Sequence, residues 1–235
     1  MKICLMAAAS AMLLAGCSTK DNAAGTTVVE TTAKVEDTKE TEKIDKTTQA
    51  AVSETTEAAE ENSELDLRAA AGKHHVEINV KDYGTINVEL DGDAAPVTVA
   101  NFLDLVGNGF YDGLTFHRII DGFMIQGGDP NGDGTGGSDE NIKGEFSNNG
   151  VENNISHTRG TISMARAQDP DSGSSQFFIV QADSTFLDGD YAGFGHVTEG
   201  MDIVDKICED AKPTDDNGTI SKEEQPVIEK VTIID

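Results

Sequence analysis

Basic residues are scarce in this chain. Seventeen Lys and Arg stand against 43 Asp and Glu, a formal net charge of −26 over 235 residues. So acidic a surface repels nucleic acid and anionic headgroups, both of which need cations to displace their counterions. A nucleic-acid partner is excluded on this ground. Cysteine is almost absent as well. Cys4 lies inside an N-terminal apolar run, Cys17 directly follows that run, and Cys208 stands alone far downstream. No intramolecular disulfide is therefore available to a domain holding only Cys208, which reads as a small buried hydrophobe on a helix. Long apolar runs are missing too: Ile3 to Gly16 covers 14 residues, too few to span a bilayer. The five histidines show no ligand spacing and no cysteine neighbour, so they read as structural and no metal is expected. Ser174 and Ser175 lack the GxSxG setting of a hydrolase nucleophile.

Apolar residues make up only 37% of the chain, and the shortfall is local. Lys2 followed by the run ending Leu14-Ala15-Gly16-Cys17 resembles a bacterial lipoprotein signal, which implies a signal peptide over 1–16 and acylation of Cys17. Two or three acyl chains on that residue would hold it at a membrane, where one binds only marginally. Residues 17–72 are rich in Thr, Glu, Ala and Lys and hold no aromatic residue. Such a segment buries too little to offset its ordering entropy, so it reads as a lipidated N-terminus followed by a spacer, with transient helix between Thr41 and Leu67 as the rival reading. The globular domain is expected over 73–235, where 30 acidic and 10 basic residues leave a charge of −20. The expected location is extracytoplasmic; whether an outer membrane exists stays open.

Within the domain, His75 to Val80 and Thr85 to Leu90 alternate, placing Val76, Ile78, Val80, Ile86, Val88 and Leu90 on one face. Pro96 suits the start of a helix, with Val99, Phe102, Leu103 and Val106 at helical spacing and Gly107 and Gly109 ending the run. A second helix is expected from Gly200 to Glu209. Short β-rich runs fill the space between at 115–120, 123–127, 161–165, 176–180 and 193–197, and 227–234 closes the chain. Many short strands, Gly-rich turns and two helices predict a mainly β fold: an antiparallel barrel, closed so that no sheet edge is left.

The stretch FHRIIDGFMIQGGDP, from Phe116 to Pro130, carries the strongest chemistry. Strand alternation puts Phe116 and Arg118 on one face and His117 on the other. An Arg set among Phe, Ile and Met is unusual unless its head meets ligand or solvent. TISMARA from Thr161, SSQFFIV from Ser174 and FLDGDYAGFGHVTEG from Phe186 follow. In order and spacing these blocks resemble the signature of the cyclophilins, from about Val76 to the end. The resemblance implies an eight-stranded cyclophilin-like barrel with two capping helices and peptidyl-prolyl cis/trans isomerase activity without a cofactor. It implies a monomer acting on proline-containing polypeptides. It makes Arg118 the catalytic arginine, with Gln126 orienting both it and the substrate. Phe123, Met124, Phe178 and Leu187 would line the proline pocket, while Ala165, Arg166 and Gln176 would border the groove for the preceding residues. Phe186 and Tyr191 would sit at the pocket rim, in place of the tryptophan and histidine of the commonest eukaryotic pattern.

Other readings stay in view. A proline-directed binding module and a surface adhesin would carry the same domain. Asp129 to Glu140 satisfies the letter of an EF-hand loop, yet a strand precedes it and Gly136 occupies its eighth place. Asp215 to Glu224 has the later ligands of such a loop but Pro213 at the first position. Calcium is not expected at either.

Overall fold

The computed structural model of the protein describes residues 66–235. The expected signal peptide, Cys17 and residues 18–65 of the expected spacer lie outside the described residues. The Asp66 carboxylate accepts the backbone N–H groups of Arg68 and Ala69 at 3.1 and 3.0 Å, and Ala70 is buried. Among the described residues, no helix is long and apolar enough to cross a membrane.

Eight strands follow: β1 Lys73–Val80, β2 Gly84–Asp91, β3 Phe116–Ile120, β4 Met124–Gly127, β5 Thr161–Met164, β6 Phe177–Val180, β7 Gly193–Glu199 and β8 Ile228–Ile233. Two helices, α1 Pro96–Gly107 and α2 Met201–Asp210, are inserted after β2 and β7. The strands form one antiparallel sheet in the order β3-β4-β6-β5-β7-β2-β1-β8. Alternation placed the apolar face correctly: Val76, Ile78, Val80, Ile86, Val88 and Leu90 are all buried. Against them packs an aromatic cluster in which Phe102 of α1 lies 5.0 to 5.6 Å from the rings of Tyr111, Phe177 and Phe194. Edge-to-face and tilted contacts of this kind add to what area burial alone supplies. Cys208 is buried on α2, and burial pushes its thiol pKa up to about 12.

The expected closure is incomplete, and the sheet is a curled half-barrel. β3 and β8 are its two ends. They are joined by one isolated bridge, Thr115 to Val227, and by backbone bonds such as Phe116 N–H to Pro226 O at 2.9 Å and Ile228 N–H to Leu114 O at 2.7 Å. The reason lies in what else binds the outer edge of β3. The segment 217–220 takes it first: Ile119 N–H donates to Gly218 O, and Ile220 N–H to His117 O, both at 2.9 Å. Gly218 makes that approach feasible, because its φ of +85° suits glycine and a Cβ there would lie 2.6 Å from Ile119 O. Those bonds protect the edge strand that a closed ladder would otherwise have covered.

Candidate active site

Strand β3 carries a bulge, with the register shifting between Phe116 and Arg118. The extra residue is His117, and one extra residue turns everything after it to the opposite face. Phe116 therefore points into the main core, while Arg118 lines a cavity on the other side. The expectation that these two share a face was wrong for this reason. His117 is 97% buried on the strand, and neither ring nitrogen has a hydrogen-bond partner among the described residues. Burial holds its pKa below the ordinary histidine value, against the pull of Asp129 and Asp133.

The cavity measures about 460 Å³. Its apolar wall is a small cluster separate from the main core: Met124 and Phe178 buried, Phe123, Leu187 and Tyr191 partly so. Arg118 lines the same cavity, and its guanidinium is fixed in the fork geometry that Arg favours. Nε donates to Asn217 O at 2.8 Å, Nη2 to Asn217 Oδ1 at 3.4 Å, and Nη1 to Gln126 Oε1 at 3.1 Å. All three acceptors are neutral oxygens, and Arg118 forms no salt bridge among the described residues, although the domain is strongly acidic. Burial draws its pKa down, with Tyr191 and Asp215 acting in the other direction; an arginine starts so high that it stays charged.

A chain of amides holds the geometry in place. Gln126 Nε2 donates to Gln176 Oε1 at 2.9 Å, and Gln176 Nε2 donates to Gly136 O at 2.7 Å. Beyond Gln176 lies an adjoining groove of about 420 Å³ that shares Gln126, Ala165 and Arg166 with the cavity. Phe186 stands outside the cavity wall, 72% exposed, with its ring 5.7 Å from that of Phe123.

Two features at the site were not foreseen. Asn217 supplies the guanidinium's main acceptor, from a turn in which Asp215 Oδ1 accepts the N–H groups of Asn217 and Thr219, both at 3.0 Å. The DDNG stretch carries turn-forming residues, but its partner lies 99 residues away in sequence. The second is an Asp–His–Ser chain behind the pocket. His157 Nδ1 meets Asp188 Oδ1 at 2.8 Å and Nε2 meets Ser163 Oγ at 2.9 Å, and the imidazole stacks on Phe178 at 6.0 Å. Its order mimics a hydrolase triad, yet Ser163 is fully buried and out of reach of any substrate. The chain instead ties the loop bearing Leu187 to β5 beneath Phe178.

Asp129, first residue of the EF-hand-like loop, is buried and turns its carboxylate onto the loop's own amides. It accepts from Asn131 N–H at 2.8 Å and from Asp133 N–H at 3.0 Å. Among the described residues, no three metal-capable side chains come together.

An apolar socket beside a fixed cation thus adjoins a polar groove. Residues 75–234 match the family model of the cyclophilin type peptidyl-prolyl cis-trans isomerase. The chain belongs to that family and is a peptidyl-prolyl cis/trans isomerase. It is 45% identical over 135 residues to peptidyl-prolyl cis-trans isomerase A of Dickeya dadantii, covering 54% of this chain and 67% of that protein. To peptidyl-prolyl cis-trans isomerase B of Bacillus subtilis it is 44% identical over 144 residues, 61% of this chain and 92% of that one. A crystal structure of a Cryptosporidium parvum cyclophilin type isomerase, solved in the presence of the dipeptide Ala-Pro, superimposes with a TM-score of 0.60 and 31% identity, covering 68% of this chain and 99% of the other.

Proposed function

We propose that Arg118 accelerates rotation about X–Pro bonds by donating to the prolyl nitrogen while the ring sits against Phe123, Met124, Phe178 and Leu187. The barrier to this rotation is about 18–20 kcal/mol, because the nitrogen lone pair conjugates with the carbonyl. In the planar ground state that lone pair is delocalised and accepts poorly. At half rotation it is localised and accepts well. A donor placed there binds the twisted state better than either planar isomer, which is the condition for catalysis. Proline is the substrate residue because only X–Pro bonds populate cis appreciably. Gln126 orients the guanidinium, and the groove bordered by Ala165, Arg166 and Gln176 takes the residues before the proline. Phe186 and Tyr191 form the rim. No covalent step is needed.

The single observation that carries this reading is a guanidinium oriented by neutral oxygens, its charge unspent, beside an apolar hollow. The test is a protease-coupled assay on an X–Pro peptide. Arg118→Ala is expected to lower kcat/KM at least about tenfold, roughly 1.4 kcal/mol of transition-state stabilisation, with circular dichroism unchanged. An undiminished rate would remove the arginine from the mechanism.

We further propose that the protein works outside the cytoplasm as a lipid-anchored folding assistant for secreted or surface proteins. The support is the Leu14-Ala15-Gly16-Cys17 sequence and the aromatic-free stretch that follows it. Labelled palmitate fed to the native host should enter the wild-type protein and not Cys17→Ala. Equal labelling of the two would refute the anchor.

A further inference from the structure

A second guanidinium opens onto the same cavity. Arg166 lines both the 460 Å³ cavity and the 420 Å³ groove, and every other residue lining that groove is neutral. Its head is immobilised. Nε donates to Asp190 O and Nη1 to Ala167 O, both at 2.9 Å. The guanidinium carbon also lies 5.1 Å from the Phe146 ring centroid and 4.7 Å from that of Tyr191. Stacking between two rings leaves the guanidinium edge open to acceptors; Nε and Nη1 are taken, and Nη2 makes no hydrogen bond within the described residues.

Three carboxylates lie within five residues of Arg166 or supply its backbone partner, and each is engaged elsewhere. Asp169 Oδ1 accepts Asp171 N–H at 3.0 Å. Asp171 Oδ1 accepts Gly144 N–H at 3.0 Å and Asn149 Nδ2 at 2.7 Å. Asp190 Oδ1 accepts Asn148 Nδ2 at 2.9 Å. The contrast is Arg159, which pairs with Asp205 at 2.7 Å. In so acidic a domain, this guanidinium forms no salt bridge among the described residues, while these three acids bond to amides instead.

We propose that Arg166 selects clients with a carboxylate, Asp or Glu, in the residue immediately before the proline. This rests on the reading that the groove takes the preceding residues. Arg166 stands where socket and groove meet, so the side chain one position before the ring comes closest to it. A head already fixed by three backbone oxygens and two rings loses little further freedom on binding, and a charge-assisted bond to a carboxylate is about twice as strong as a neutral one.

The test compares kcat/KM for two peptides that differ only in Glu or Lys before proline, using the full chain in roughly 20 mM salt, where screening is weak. Glu–Pro should be preferred by about tenfold, within the range of one hydrogen bond to a charged group. The preference should fall below about twofold in Arg166→Gln, stay intermediate in Arg166→Lys, and shrink for the wild type in 0.5 M salt. A wild-type ratio near one overturns the proposal, as does an equal slowing of both peptides by Arg166→Gln, which would make Arg166 a general holder of backbone. Because each ratio is internal to one protein, partial misfolding of a variant does not mimic the result, and the wild-type salt dependence stands without any variant. If the wild type accelerates neither peptide, it is the isomerase reading of the site that fails, not the choice of client.

Discussion

An arginine among 30 carboxylates of its own domain would ordinarily be claimed by one of them. Arg118 is held by Asn217 and Gln126 instead, and the difference matters. A carboxylate would orient the guanidinium as well as an amide does, but would also satisfy its charge, leaving little for a developing lone pair. Amide oxygens give orientation without neutralisation. Gln126→Glu tests this at one atom. At 3.1 Å the new carboxylate would form an ion pair roughly twice as strong as the present bond, and it would also face Gln176 Oε1 with an acceptor in place of a donor. Gln126→Ala loses the same link to Gln176 but leaves the guanidinium charge free. Isomerase kcat/KM is expected to drop about tenfold in Gln126→Glu and by a smaller factor in Gln126→Ala. The reverse order would show that the amide acts only as a tether.

At the scale of elements, local patterns were legible in the sequence and long-range ones were not. The alternating residues of β1 and β2, Pro96 at the start of α1, and the apolar side of α2 each carry a signal within a dozen residues. The other strands fell within about two residues of their expected bounds for the same reason. The bulge at His117 has no such signal: nothing in Phe116-His117-Arg118 distinguishes a bulged strand from a regular one, and the pairing with β4 decides it. The start of α1 is similar. Ala95 at the N-cap offers no side-chain acceptor, so the first-turn N–H groups needed a partner from elsewhere. Glu145 supplies it, accepting Val97 N–H at 3.0 Å and Thr98 N–H at 2.8 Å, where a negative charge also suits the helix dipole. The site divides along the same line. Most residues grouped by the signature blocks line one cavity, with Gln176 in the adjoining groove and Phe186 outside the wall, whereas Asn217 and the Asp188–His157–Ser163 tie are set by tertiary contacts between segments that carry no mutual mark. Incomplete closure belongs with them, since it depends on segment 217–220 reaching the outer edge of β3.

For the whole molecule, the buried histidines decide how stability responds to mild acid. His117 and His157 are 3% and 0% exposed. In both, burial is the chief cause of a pKa below the ordinary value, opposed by Asp129 and Asp133 for the first and by Asp188 for the second. Unfolded, each titrates near 6.5. As the pH falls below about 6.5 the unfolded chain takes up these protons while the folded chain resists, so the unfolded state binds more of them and stability falls. The slope approaches about 1.4 kcal/mol per pH unit for each such proton, until the folded pKa is reached. His75 works in the opposite sense. Its Nδ1 lies 2.7 Å from Asp235 Oδ2, which raises its pKa, so its contribution is fully present below about 6.5 and is lost as the pH rises through the raised value. That pair is exposed to solvent and screened, so two buried groups outweigh one open pair. Below about pH 4 the decline should steepen, because Asp188, bonded to Ser156 and His157, is among the carboxylates held below their ordinary pKa. Calorimetry from pH 7.5 to 5 should therefore show Tm falling steadily, and His157→Gln, which removes one of the two protons, should flatten the profile while lowering its upper end. A Tm that holds level or rises across that range would mean the buried imidazoles accept protons without cost, and burial would not be what depresses their pKa values.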